Sequence, residues 1–226
     1  MLLRRTGAAI FAAALLYPLC GLFVSVGPWR WDGGTIAGAV RVSLVLTAIA
    51  MVVVIGLGTP MALYVARAPA RERLWWQAVL LLSVLLPPLA LGILLSLAFV
   101  VTQVYVSIGY YVLGAVAAID SVPMALEIQG GLLGQDRWNV FWRVTFPIAR
   151  LGLAVALSLA WVRALTEFGA VVITAYYPAG MPVALWTSLE NFGLPAVMPL
   201  LIVFLVTALP LPWLAHILAQ RRLTRA

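Results

Sequence analysis

The sequence contains no lysine; its fourteen Lys-or-Arg positions are all arginine. Without lysine there is no GxxxxGK[ST] phosphate loop and no Schiff-base nucleophile, so the chain alone cannot hydrolyse nucleotide by the P-loop route. One cysteine, Cys20, and one histidine, His216, exclude a disulfide framework and a Cys/His metal cluster. Cys20 reads as a small apolar helix residue, and His216 as an interfacial residue near the end of the last span. Charge is scarce as well: 9% of residues are charged, against about a quarter in a soluble domain. That is too little polar surface to cover a water-soluble fold of this length.

What is present is apolar: 65% of the residues, with a mean hydropathy of +1.10. Several uncharged runs reach the roughly 20 residues that a helix needs to cross about 30 Å of hydrocarbon. The expectation is an all-α, polytopic membrane helix bundle, one transmembrane domain over residues 1–226. The formal charge of +7 then marks cytoplasmic loops rather than nucleic-acid binding.

The N-terminus, MLLRR followed by the apolar run 7–27, is expected to be a retained first span. The run is longer than a signal-peptide core and has no small-x-small cleavage site. A second span is expected over about 39–66, followed by the arginine-rich loop RAPARER. Leu74 to Ile119 is free of charge over 46 residues, too long for one crossing and just long enough for two with a tight turn. The Pro87-Pro88 pair should kink or break the first of these, because proline lacks an N–H and clashes with the preceding turn. The last two spans are placed at about 151–175 and 196–218. Arginines fall two in the N-tail, three in the 67–73 loop, three in 120–150 and three in the C-tail, with Arg30 and at most Arg41 opposite and Arg163 inside the fifth span. Six spans with both termini and the 120–150 loop cytoplasmic satisfy that distribution.

The segment 120–150 holds three acids and three arginines among spaced apolar residues, Leu126, Leu133, Trp138, Phe141 and Trp142. It reads as a helix-turn-helix outside the bilayer, with one face for a protein partner. Leu126-Glu127, Leu133-Gly134, Arg137-Trp138, Phe141-Trp142, Val144 and Phe146-Pro147 resemble the EAA loop of ABC importer permeases. In place of that loop's Glu-Ala-Ala the chain has Ile128-Gln129-Gly130, and Glu127 stands one position early. One position rotates a helical side chain by about 100°.

A second resemblance lies at Arg163-Ala164-Leu165-Thr166-Glu167-Phe168-Gly169-Ala170, similar to the fifth-span signature of oxyanion permeases. Ala175-Tyr176-Tyr177-Pro178, Pro182-Val183 and Gly193-Leu194 look most like the molybdate/tungstate branch, and GLGTPMALYVAR and QVYVS (103–107) extend the likeness over most of 40–210. The stretch between the proline-containing third span and QVYVS is shorter than such permeases usually have. The resemblance implies a type I importer permease of about six spans, working as a homodimer in the cytoplasmic (inner) membrane with two ABC ATPase subunits and an extracytoplasmic oxyanion-binding protein. It also implies that this chain binds no cofactor, ATP and Mg being used by the partner ATPase. Glu127, Leu133, Gly134, Arg137, Trp138, Phe141 and Pro147 would then form the ATPase-coupling loop. The alternatives are a sulfate or thiosulfate permease of the same architecture, and a non-transporting scaffold or degraded paralogue. A membrane-embedded enzyme would want a cluster of His, Asp or Glu at a bilayer face, which the chain does not offer.

Arg163 and Glu167 pose a separate question, since a charge at mid-bilayer costs roughly 2.5 to 3.5 kcal/mol on insertion scales. At positions i and i+4 of a helix they can reach each other. The pair is either a self-neutralising structural element or, with Thr166 and Gly169, part of the pore or gate. Ser158, Thr166 and Gly169 suit a mildly polar path and equally suit helix packing.

Overall fold

The computed structural model describes residues 13–14, 28–87, 99–174 and 177–223. The expected first span, the turn after Pro87, and Ala175-Tyr176 lie outside the described residues, as does the side chain of His216. The described chain is helical throughout, with no strand.

Helix α1 runs Gly33–Arg67 and is the longest element. Asp32 starts it by accepting from Gly34 N (3.1 Å) and Thr35 N (3.2 Å), which satisfies two of the N–H groups a helix start leaves open. Ala68 ends it, because a residue before proline, here Pro69, is driven out of the helical region. Its 35 residues make about 52 Å, more than the roughly 30 Å hydrocarbon thickness. Helix α2, Ala70–Leu85, follows at once, so the arginine-rich loop is confined to Ala68-Pro69, and Arg71 and Arg73 sit in the first turn of α2. Leu86 ends α2 just ahead of Pro87, as the proline pair predicts.

Helix α3, Phe99–Asp120, lies at the centre of the bundle. Ala50, Val54 and Val65 of α1 and Ala149, Ala156 and Ala160 of the next span are buried against Val112, Ala115 and Ile119. The α3 contact is close: a Cβ on Gly114 would stand 2.8 Å from Ala156 Cβ, the small-residue contact on which helix association in lipid depends. Helix α4 is Met124–Leu132. Helix α5, Arg137–Leu165, begins as α-helix, widens to a π turn at Phe141–Thr145, and continues as α-helix. The widening has a local cause, since Pro147 offers no N–H to Arg143 and its ring would press on that carbonyl. Phe146 N bonds to Phe141 O instead.

The expected fifth span does not run on to 175. Helix α5 stops at Leu165, and after a break a single turn forms at Val171–Thr174. Helix α6, Met181–Phe192, was not foreseen from the sequence. Helix α7, Leu194–Ala208, and α8, Pro210–Leu223, complete the described residues. Among the described residues four segments are long and apolar enough to cross a membrane: Gly33–Arg67, Phe99–Asp120, Arg137–Leu165 and Leu194–Ala215. Helix α2, at 16 residues, measures about 24 Å and is short of that length.

Candidate functional site

The segment between α3 and α5 is a helix and a turn, and its second helix is not separate: it is the first part of the span α5. Helix α4 closes on Gly134, whose φ is 78°. Gly134 N bonds to Gly131 O (3.0 Å) and Gln135 N to Gly130 O (3.2 Å), the paired closure that requires a left-handed residue after the helix. Nothing lies within 4 Å of a Cβ built on Gly134, so glycine is there for its backbone and not to make room. Asp136 restarts the chain by accepting from Asn139 N (2.9 Å). Ile128, Leu132, Leu133 and Trp138 are all exposed, the two leucines to 82% and 80%. Arg137 is exposed beside them, whereas Phe141 and Pro147 are partly covered. Phe141, Trp142 and Phe146 pack edge-to-face or tilted, with centroids 5.1 to 6.0 Å apart. Phe141 and Trp142 also line an apolar groove of about 580 Å³ against Ile55, Thr59 and Leu63 of α1.

Glu127 turns away from that exposed face. Its Oε2 accepts from Arg67 Nε (2.9 Å), and its Oε1 from Arg67 Nη2 (2.8 Å) and Thr145 Oγ1 (2.7 Å). Arg67 Nη2 also reaches Ile119 O (3.3 Å), and Arg67 and Arg73 both pair with Asp120. Those cations offset an acid at the C-terminal end of α3, where the helix dipole disfavours it. Burial raises the Glu127 carboxyl, but the hydrogen bonds from Arg67 and Thr145, with the Arg67 charge, outweigh it and hold the group below its ordinary value. Sequence reading missed Arg67, Arg73, Asp120 and Thr145 as members of this cluster. The available signal was only that the 67–73 and 120–150 segments, with their arginines and acids, were expected on the same side of the membrane.

Arg163 and Glu167 are brought together, though not along a helix face. Arg163 Nη1 lies 2.6 Å from Glu167 Oε2, and Glu167 stands beyond the helix end. Its Oε1 accepts from Ala170 N (2.9 Å), so it ties the end of α5 to the turn that follows. Glu167 is buried to 1% exposure and Arg163 to 21%. Gln103 of α3 braces the break: its Nε2 donates to Ala164 O (3.0 Å), which also accepts from Glu167 N (3.2 Å), and to Thr47 Oγ1 of α1 (2.9 Å). Ser43, Thr47, Thr102, Gln103, Ser107 and Glu167 are all buried, which gives the bundle a polar layer at the level of the break. Thr166 is exposed and bonds back to Val162 O (2.8 Å), beside an open apolar groove that includes Phe168 and Trp186. Gly169 lies in the turn, half-buried. Ser158 bonds to Ala154 O and across to Leu211 O of α8, a packing role. No three of His, Cys, Asp and Glu converge as a metal-ligand set among the described residues.

No protein-family model matches the chain. The chain is 32% identical over 196 residues to a probable molybdenum ABC transporter permease protein of Haloferax volcanii, an alignment covering 78% of this chain and 73% of the relative. It is 26% identical over 182 residues to the molybdate/tungstate transport system permease protein WtpB of Thermococcus kodakarensis, covering 76% and 74%. Among solved structures, an inward-facing form of the MetNI methionine ABC transporter superposes with a TM-score of 0.61 at 16% identity, covering 84% of this chain and 95% of that one. That likeness speaks to the fold alone. By its sequence relatives, and with four membrane-length helices in its described part, the chain is a multi-pass membrane protein belonging to the molybdate/tungstate family of ABC transporter permeases, which are transport proteins and not enzymes.

Proposed function

We propose that this chain is the permease subunit of an ATP-driven importer of molybdate or tungstate. It would form the translocation path as a homodimer, carrying anions delivered by an extracytoplasmic binding protein and driven by two ABC ATPases that use ATP and Mg. The observation that carries the coupling part is the α4–Gly134–α5 turn. A short helix closed by a left-handed glycine holds Ile128, Leu132, Leu133 and Trp138 clear of the bundle. An apolar knob with Arg137 at its edge suits insertion into a cleft on another protein. The arginine distribution supports a cytoplasmic position for this end of the molecule and for both termini.

The path itself needs no tight anion site. A permease must release a dianion as readily as it admits it, so affinity belongs to the separate binding protein. The Arg163–Glu167 pair supports a gate at the break between α5 and the following turn, because a discontinuous span is a place where two rigid pieces can move relative to each other.

The test is genetic. Deleting the gene should lower cellular molybdenum or tungsten at limiting supply, and re-expression should restore it. Loss and recovery of sulfate uptake alone would favour the sulfate permease, and no change in any oxyanion the non-transporting scaffold.

A further inference from the structure

We propose that Glu127 and Arg67 form a latch that carries movement of α4 into α1, α3 and α5, so that the polar side of the coupling helix works within the chain. The inference rests on the reading of α4 as an ATPase dock. Helix α4 has little else to fix it: of its nine residues only Gly130 is buried, against Val140 of α5, so apolar packing holds it to the spans at a single point. The Glu127 carboxylate supplies the missing tie. Its two bonds from the Arg67 fork define position and angle together, as bidentate arginine–carboxylate pairs do. Arg67 is the last residue of α1, and its Nη2 also holds the Ile119 carbonyl near the end of α3. Thr145, buried in the π turn of α5, donates to the same carboxylate. One acid therefore bonds α1 and α5 directly, and α3 through Arg67.

The same geometry argues against Glu127 as a contact for a partner. Three bonds occupy a carboxylate with about four acceptor sites, and all three donors belong to this chain. Arg67 and Glu127 are 26% and 19% exposed, so the partly covered bidentate pair contributes modestly to stability while it fixes geometry. What it supplies is a rigid connection from an element that a partner can push to the ends of α1 and α3 and the π turn of α5.

The test uses the assembled complex with its ATPases. In a Cys20→Ser background, spin labels are placed at Ala125→Cys in α4 or at Leu57→Cys in α1, and the separation between the two copies is measured before and after vanadate trapping with ATP. In the otherwise unmodified protein both separations should change on trapping. In Glu127→Ala, Arg67→Ala and the double variant the α4 change should persist, the α1 change should be lost, and ATP hydrolysed per anion imported should rise roughly tenfold. The double variant should be no worse than either single one, since both remove the same connection. Glu127→Gln, of equal volume, serves where an alanine variant does not assemble, with the same loss expected. Movement of the α1 label as in the unmodified complex overturns the latch. So does release of the ATPase by Glu127→Ala but not by Arg67→Ala, which would make Glu127 a partner contact. The distances need only ATP and vanadate: a complex that moves on trapping yet imports no oxyanion sinks the substrate assignment and still decides the latch.

Discussion

Arg163 and Glu167 are joined across the end of a helix, with Arg163 Nη1 2.6 Å from Glu167 Oε2 while the other carboxylate oxygen holds Ala170 N. Removing Glu167 thus costs an ion pair and a backbone acceptor together. Replacing either residue alone should destabilise strongly, by about 3 to 5 kcal/mol, because a buried charge is left unpaired. The informative variant is Arg163→Met/Glu167→Gln, which removes both charges and keeps an oxygen for Ala170 N. It should assemble normally yet abolish or deregulate uptake if the pair serves the gate. Uptake per assembled complex at the unmodified level, with unchanged dependence on ATP, would leave the pair a structural tie.

Gly134 offers a cleaner probe of the coupling turn. Alanine there meets no neighbour but must adopt φ near 78°, at a cost of about 1 to 2 kcal/mol. Gly134→Ala should therefore reduce co-purification of the ATPase while leaving membrane insertion intact. Gly131→Ala, inside α4 and equally free of contacts, should be neutral or stabilising. Equal behaviour of the two variants would mean that the left-handed turn is not what the dock requires.

Glu127 sets an expected pH dependence. Its carboxyl is held below the ordinary value in the folded protein, so its contribution is present above the unfolded-state value and is lost as pH falls through the folded one. Thermal unfolding of the solubilised protein should show an acid-side loss of stability that Glu127→Gln flattens. An unchanged acid limb in that variant would contradict the assignment.

Topology is testable by accessibility. Arg73 pairs with Asp120, so the start of α2 and the end of α3 lie at one end of the bundle. Cysteine reporters at Ala70 and Ser121 should both label from the cytoplasmic side. Labelling from opposite sides would require an odd number of crossings between them.

The membrane class and the helical fold were legible because both follow from composition and from runs without charge. The helix and turn around Gly134 were legible too, since that glycine and the apolar positions around it are local signals. What escaped was of two kinds. Arg67 and Glu127 are 60 positions apart, and no periodicity links residues on different helices, so the arginine was read only for its side of the membrane. The end of α5 was overrun because the residues after Leu165 are as apolar as a span, while the break depends on Glu167 capturing Ala170 N and on Gln103 taking the Ala164 carbonyl. Helix α6 did carry local signals, with Pro182 in its first turn and Gly193 at its end. At 12 residues it is too short to register as a crossing.

The proposed role of this chain is to form the path of an oxyanion importer. Its most direct test is uptake by proteoliposomes that hold the chain with its ATPase, supplied with the binding protein outside and Mg-ATP inside. Isotopically labelled molybdate or tungstate should accumulate, and the accumulation should require ATP hydrolysis. An assembled complex that hydrolyses ATP but accumulates neither anion would contradict it.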